Sequence, residues 1–201
     1  MIENKQLLIF DCDGVLFDSA GANIAYFNLC LERLNLPHLS ETMKSRAVFL
    51  SVHQLFLEIL GDPVRADEAS RVSQNLPYDD FLPMLEPLFD FHRVFSHLRS
   101  RYFLALASNR SKSLVKVMKH YNLFDYFHFK ISALDARPKP APDMLISCLE
   151  YFDISPEYSL FIGDSVSDSQ AAHSAAIEYL HVGRHDRYAF INSVEELLLH
   201  Y

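Results

Sequence analysis

The sequence predicts an α/β fold: a doubly wound, open parallel sheet with helices on both faces, and a helical domain inserted near the start of the chain. Short continuous apolar runs that end in polar residues indicate strands buried on both faces, as in parallel sheets. Segments with helical spacing separate these runs, and such alternation favours right-handed crossovers. A stretch of roughly 65 residues after the first run has helical spacing and no strand pattern, which indicates the insertion.

Five strands are predicted, and three of them end in residues that bear on function. The first apolar run leads into Asp11, the second into Ser108 and the fourth into Asp164. Because the carboxyl ends of parallel strands meet at one edge of the sheet, we expect these residues to lie close together. The predicted strands span residues 7–10, 103–107, 129–131, 160–162 and 179–182.

Helical spacing marks the crossover segments of the core. Apolar residues recur at helical intervals just before the second strand and just after it. Pro142 suits the first turn of a further helix over 142–151. A terminal helix is expected from about Ser193 to residue 199, with Ser193 as N-cap and Glu196 three residues later as its capping partner.

The inserted segment is predicted to be helical and to form a domain of its own. Apolar positions at 25–34 and from Val48 to Leu60 indicate two helices, and Gly61-Asp62-Pro63 ends the second. Three prolines, at 77, 83 and 87, mark the return to the sheet. The predicted domains are therefore an α/β core of residues 1–18 and 85–201, and a helical cap domain of residues 19–84.

Composition limits the class of protein. The chain has 201 residues, of which 50% are hydrophobic and 22% charged, as in an ordinary globular protein. A net charge of -8 opposes binding to nucleic acid. Three cysteines without a CxxC pair favour a reducing compartment, and the apolar run before Asp11 is too short for a signal peptide or membrane span. We therefore expect a soluble cytoplasmic protein, a monomer or homodimer, without nucleic acid or membrane partners.

Acidic residues follow two of the predicted strands in pairs. Asp11 and Asp13 lie two residues apart, so strand periodicity directs both side chains the same way. Asp164 and Asp168 follow the fourth strand. A single acid after a strand often caps a turn or helix, but four acids at one edge repel each other unless a divalent cation joins them. Oxygen ligands favour Mg²⁺ over zinc, and a carboxylate beside the metal can attack phosphorus.

Four segments, in order, resemble the sequence motifs of the haloacid dehalogenase-like hydrolase superfamily. Together with the helical insertion after the first motif, they are most similar to the phosphoglycolate phosphatase and β-phosphoglucomutase group, which has a Rossmann-like core and a helical cap. The sequence departs from the family at Ala176, where relatives often have a glycine that ends a helix in left-handed backbone. The four segments are DCDGVLFDS at 11–19, LALASN at 104–109, KPAPD at 139–143 and GDSVSD at 163–168.

The resemblance implies a role for each motif residue that touches phosphate. Asp11 would attack phosphorus and form an aspartyl-phosphate, and Asp13 would protonate the leaving oxygen and later activate water. Ser108, Asn109 and Lys139 would bind the transferring phosphoryl group. Charge on the phosphoryl oxygens has to be met by a metal ion, a lysine and hydroxyl or backbone donors, so these residue types suit the chemistry.

The resemblance also implies the ligands of the metal. Mg²⁺ would be held by Asp11, the main-chain carbonyl of Asp13, and Asp164, with Asp168 nearby or acting through a water molecule. Magnesium characteristically binds through one or two carboxylates together with water and phosphate oxygens.

We therefore expect a Mg²⁺-dependent phosphoric monoester hydrolase that acts on a small phosphorylated metabolite, either phosphoglycolate-like or a sugar phosphate. Having an acid at Asp13 argues against a dehalogenase, because only an alkoxide leaving group needs a proton. A sugar phosphomutase is the nearest alternative, since the same aspartyl-phosphate can pass its phosphoryl group to a sugar. A phosphoacceptor or binding protein without catalysis remains a further alternative, because fold does not determine activity.

Overall fold

The chain folds into an α/β unit and a helical unit. The computed structural model describes residues 2–47, 50 and 52–199. The α/β unit comprises Met1–Asp18 and Pro87–Tyr201, and the helical unit comprises Ser19–Glu86.

A six-stranded sheet forms the centre of the α/β unit. Its strand order is β5-β4-β1-β6-β7-β8, and every neighbouring pair is parallel. The strands β2 and β3, of two residues each, form a separate small sheet. The strands are β1 (Leu7–Phe10), β2 (Phe17–Asp18), β3 (Glu86–Pro87), β4 (Phe103–Ser108), β5 (Phe129–Ser132), β6 (Ser159–Gly163), β7 (Glu178–Val182) and β8 (Phe190–Ile191).

The predicted fold class is confirmed, and each of the five predicted strands is present with ends shifted by at most one residue. The sixth strand of the sheet, β8, is missing from the prediction. It has two residues and pairs with the last part of β7, where His181 aligns with Phe190. A pair of residues is too short to show any hydrophobic period, so only the tertiary contact with β7 defines this strand.

The four residues of β1 are fully buried because both faces of the sheet are covered. Leu7 and Ile9 pack on one face in a cluster that includes Met144. Phe10 faces the other side, where its ring centroid lies 5.4 Å from that of Phe95. A continuous apolar run without alternation is therefore what this central position requires.

Helices on both faces connect the parallel strands of this unit. The predicted terminal helix is wrong in type, because Val194–Leu199 is a 3₁₀ helix. Ser193 caps it as predicted, since its hydroxyl oxygen accepts from the N–H of Glu195 at 3.3 Å, whereas the Glu196 carboxylate accepts hydrogen bonds from the main chain and side chain of Asn192. The helices are numbered along the chain, so α1 to α4 belong to the helical unit described below. Those of the α/β unit are α5 (Phe91–Arg99), α6 (Ser113–His120), α7 (Asp143–Phe152), α8 (Val166–Ser174) and a 3₁₀ turn at Pro156–Tyr158.

The helical unit has its own apolar core. Gly61-Asp62-Pro63 ends one helix, as predicted, and also begins the next: Gly61 has a φ of 64°, and the Asp62 carboxylate accepts hydrogen bonds from the first turn. Phe27, Leu55 and Ala66 from three different helices pack together. Val48, in the predicted second helix, lies outside the described residues. The elements are α1 (Ala20–Arg33), α2 (Glu41–Ala47), α3 (Val52–Leu60), α4 (Pro63–Gln74) and a 3₁₀ helix, Asp79–Met84.

Among the described residues, no helix has the length and apolar character needed to cross a membrane.

Ala176 has left-handed backbone, with a φ of 57°, and its side chain is exposed. We therefore predict that Ala176→Gly raises the free energy of unfolding by about 0.5–1 kcal/mol, because glycine removes the steric strain and no buried contact is lost. Urea denaturation measures the change. The matched control is Ser174→Gly, at the exposed last residue of α8, which should lower stability because glycine is a poor helix former. A loss of stability in both variants would contradict the prediction.

Candidate active site

The carboxyl edge of the sheet brings the sequence motifs together. Asp11 directly follows β1, and its main-chain N–H donates to the carbonyl of Ile162 in β6 at 2.9 Å. Ser108 is the last residue of β4, and Asp164 directly follows β6. Because β4, β1 and β6 are neighbours and parallel, their carboxyl ends place these three residues side by side.

Lys139 lies between two carboxylates. Its Nζ is 2.8 Å from Oδ1 of Asp11 and 2.7 Å from Oδ1 of Asp168, and the lysine side chain is 1% exposed. Burial by itself lowers the pKa of Lys139, but the two carboxylates outweigh this effect, so the pKa lies above its usual range. Lys139 is therefore held in its charged form, beside the residue predicted to be the nucleophile.

Asp168 has a structural function in addition to its contact with Lys139. Its Oδ2 accepts hydrogen bonds from the main-chain N–H of Ser165 at 3.1 Å and from the Ser165 hydroxyl at 2.6 Å, which completes a capping box at the start of α8. Its side chain is fully buried. Asp168 therefore fixes the loop that carries Asp164 and at the same time orients Lys139.

Asp13 is paired with Arg110, a residue that the sequence analysis did not single out. Nη2 of Arg110 donates to Oδ1 of Asp13 at 2.6 Å, and Nε donates to Oδ2 at 2.8 Å. The main-chain N–H of Arg110 donates to the Ser108 hydroxyl oxygen at 3.1 Å. The signal in the sequence was a cation two residues after Ser108, at the same strand end as the predicted acids.

Asn109 uses its side chain to hold the main chain of Lys139. Its Nδ2 donates to the Lys139 carbonyl at 2.9 Å, and its Oδ1 accepts from the Lys139 N–H at 2.8 Å. The structure therefore brings Asn109 to the site as the residue that joins the loop after β4 to the loop after β5. Its contact with a phosphoryl group stays a prediction, as does that of the fully buried Ser108.

Three carboxylates could hold a metal ion together. Asp11, Asp164 and Asp168 each offer an oxygen, and these oxygens lie within 4.8 Å of one another. Burial raises the pKa of Asp11 well above its usual range, against the opposing effect of Lys139, and the neighbouring carboxylates raise it further. Burial and Asp168 raise the pKa of Asp164 to about 7. Ionising Asp11 and Asp164 together is therefore costly.

Formal charge and donor chemistry both fit Mg²⁺. Lys139 pairs with Asp11 and Asp168, Arg110 pairs with Asp13, and Asp164 lies beside them; when ionised, these six groups together carry two net negative charges. A divalent cation would neutralise them, and carboxylate oxygens are the ligands that Mg²⁺ prefers. The Asp13 side chain is not one of these three carboxylates. Arg110 contacts that side chain, whereas the predicted Mg²⁺ ligand of Asp13 is its main-chain carbonyl, so the two contacts do not compete.

Comparison with known proteins identifies the family. A family model for haloacid dehalogenase-like hydrolases matches residues 8–182, so the chain belongs to this family. The phosphoglycolate phosphatase of Nitrosococcus oceani is 28% identical over 186 residues, which cover 87% of this chain and 82% of that protein.

Solved structures support the fold. A haloacid dehalogenase-superfamily hydrolase of subfamily IA, variant 1, from Geobacter sulfurreducens has a TM-score of 0.76 at 28% identity, covering 97% of this chain and 95% of its own. The β-phosphoglucomutase of Clostridium difficile has a TM-score of 0.80 at 18% identity, with 96% and 93% covered, and shows the fold alone.

Gly14 allows the two acidic loops to approach each other. It has a φ of 73°, and a Cβ at this position would lie 1.8 Å from Oδ2 of Asp164. We expect Mg²⁺ to raise the melting temperature of the unaltered protein, and we predict that Gly14→Ala displaces Asp164 and abolishes this increase. A thermal unfolding series with and without Mg²⁺ measures this.

The matched control is Gly21→Ala, in α1, where an added Cβ would meet nothing within 4 Å. This variant should keep the full Mg²⁺ effect and a stability at least equal to that of the unaltered protein, because alanine favours a helix over glycine. If Gly14→Ala keeps the Mg²⁺ effect as well, the close approach does not govern metal binding.

Proposed function

We propose that this haloacid dehalogenase-like hydrolase is a Mg²⁺-dependent phosphatase that hydrolyses a small phosphorylated metabolite through a phosphoryl ester on Asp11. The observation that carries the proposal is the meeting of Asp11, Asp164 and Asp168 around one potential cation position, with Lys139 in contact with two of them. A second carboxylate, Asp13, follows the nucleophile by two residues and completes the requirements for ester hydrolysis.

In the first step, a carboxylate oxygen of Asp11 attacks the phosphorus of the substrate, and the bond from phosphorus to the ester oxygen breaks. Asp13 gives a proton to that oxygen, so the leaving group departs as a neutral alcohol. Lys139 holds Oδ1 of Asp11, with its Nζ at 2.8 Å. This arrangement supports an orientation in which one oxygen is held while the other attacks.

In the second step, a water molecule attacks the phosphorus of the aspartyl-phosphate. Asp13, now ionised, accepts a proton from the water, inorganic phosphate forms and the carboxylate of Asp11 is restored. The proton that Asp13 gave away in the first step is thereby replaced, and the cycle is balanced. The same residue acts as acid and then as base, which a partly exposed aspartate can do.

The phosphoryl oxygens need partners that match their charge. We assign Lys139 and the hydroxyl of Ser108 to them, with main-chain donors of the loop at Asn109. Asp11, Asp164, the carbonyl of Asp13 and, directly or through water, Asp168 would hold Mg²⁺. When bound, Mg²⁺ would neutralise charge on the phosphoryl group and on the carboxylates around it.

The relatives support the proposed substrate class. Curated relatives that match most of this chain include phosphoglycolate phosphatases, which act on a small phosphate ester. We assign the helical unit, Ser19–Glu86, the role of a cap domain that selects the ester. All three cysteines are free and buried, which supports a cytoplasmic location.

Asp11→Asn should lower the rate of phosphate release from p-nitrophenyl phosphate at least ~10³-fold, because an amide cannot act as the nucleophile. Removal of Mg²⁺ by chelation should abolish the activity of the unaltered protein, and added Mg²⁺ should restore it. The matched control is Asp125→Asn, an exposed aspartate of the same unit, which should keep full activity. Activity that survives in Asp11→Asn would refute the mechanism.

A panel of phosphate esters separates a phosphatase from a mutase. We expect inorganic phosphate to be released from 2-phosphoglycolate and other small esters, with Asp11→Asn as the blank for contaminating activity. Appearance of an isomerised sugar phosphate without free phosphate would instead identify a phosphomutase. A phosphoprotein that persists without turnover would identify a phosphoacceptor.

A further inference from the structure

Arg110 is a second cation of the candidate active site, besides Lys139, and neither step above uses it. We propose that Arg110 is a positioning residue: its guanidinium fixes the orientation of the Asp13 carboxylate for proton transfer to the leaving group and from water. The inference rests on the proposed function, because Arg110 acts only through Asp13.

The geometry of the contact restricts Asp13 strongly. Two hydrogen bonds, of 2.6 Å and 2.8 Å, join two nitrogens of the planar guanidinium to the two oxygens of the carboxylate. A fork of this kind fixes the plane of the carboxylate as well as its distance, whereas a single donor would leave the group free to rotate. A carboxylate oxygen has more than one lone pair, so the two hydrogen bonds of the fork do not by themselves prevent Asp13 from exchanging a proton.

The two partners differ in their exposure in the way that this role requires. The side chain of Arg110 is 6% exposed, and that of Asp13 is 26% exposed. The guanidinium is therefore covered by protein, and the carboxylate remains accessible to an ester oxygen or a water molecule. A buried arginine has little freedom of its own, so it provides a rigid support.

Arg110 is also linked to the proposed phosphoryl site. Its main-chain N–H donates to the Ser108 hydroxyl oxygen at 3.1 Å, and its carbonyl accepts from the N–H of Ala133 at 3.0 Å. The residue that orients the proton donor is thus tied to a residue that would hold the phosphoryl group. This link fixes the distance between the two, and a displacement of about 1 Å can cost about 10²-fold in rate.

A direct contact between Arg110 and the phosphoryl group is the competing role. Nε and Nη2 are both engaged by Asp13, so a phosphoryl group that used these donors would have to displace the carboxylate. The two roles predict different kinetics. A phosphoryl ligand affects all phosphate esters alike, whereas a residue that orients the proton donor affects those esters whose leaving group needs a proton.

The test compares kcat/KM for a simple alkyl phosphate and for p-nitrophenyl phosphate in Arg110→Gln and Arg110→Lys. For the alkyl ester we expect a loss of about 10- to 100-fold, and for p-nitrophenyl phosphate a loss below about 3-fold, because p-nitrophenolate leaves without a proton. Arg110→Lys keeps the charge but not the fork, so it should share the deficit. Full activity of this variant would overturn the proposal.

A double-mutant cycle tests whether Arg110 acts through Asp13. In the Asp13→Asn background, Arg110→Gln should cause no further loss with the alkyl ester; two independent losses that multiply would overturn the proposal. The matched control is Arg93→Gln, which removes an exposed arginine that contacts the Glu195 carboxylate at 2.9 Å and should leave both rates unchanged.

The outcomes separate this inference from the proposed function. If the unaltered protein releases no phosphate from any ester, the proposed function fails. If it is active, but the Arg110 variants lose equally on both esters, only the inference fails: a raised KM identifies a phosphoryl ligand, and a lowered melting temperature with unchanged KM identifies a structural role. If Arg110→Gln does not fold, Arg110→Lys supplies the same comparison.

Discussion

The contact of the Lys139 ammonium with Asp11 and Asp168 is the interaction on which the site depends. It joins the end of β1, the loop after β5 and the first turn of α8. All three side chains are almost fully buried, so loss of one partner would leave an uncompensated charge inside the protein. The three loops are therefore held in the one arrangement that pairs these groups.

The cluster of Lys139 with Asp11, Asp168 and Asp164 contains more carboxylates than cations. Asp164 adds a further carboxylate that Lys139 does not contact directly, and its pKa is raised to about 7 by burial and by Asp168. Repulsion among these carboxylates raises the free energy of the site when no metal ion is bound. The same repulsion favours binding of a divalent cation and of a phosphoryl group bound to that cation. The carboxyl end of the sheet therefore favours the binding of cations, in a chain whose net charge is -8.

Three groups of the site are held in place by hydrogen bonds to a polar neighbour. Asn109 fixes the main chain of Lys139, and Ser165 fixes Asp168. Arg110 holds Asp13 in the same manner, also with two hydrogen bonds. Such neighbours matter because proton and phosphoryl transfer tolerate only small errors in position.

The sequence by itself determined the parallel sheet and most of the site, since these depend on local patterns: apolar runs define buried strands, and Asp11 and Asp164 lie directly at their ends. The two-residue strand β8 and the 3₁₀ form of the terminal helix have no such pattern. Only the tertiary structure decided that Arg110 pairs with Asp13, 97 residues away, and that Asn109 holds Lys139. The reason is physical: the direction in which a polar side chain points depends on which charge the fold brings next to it, and sequence spacing does not contain that information.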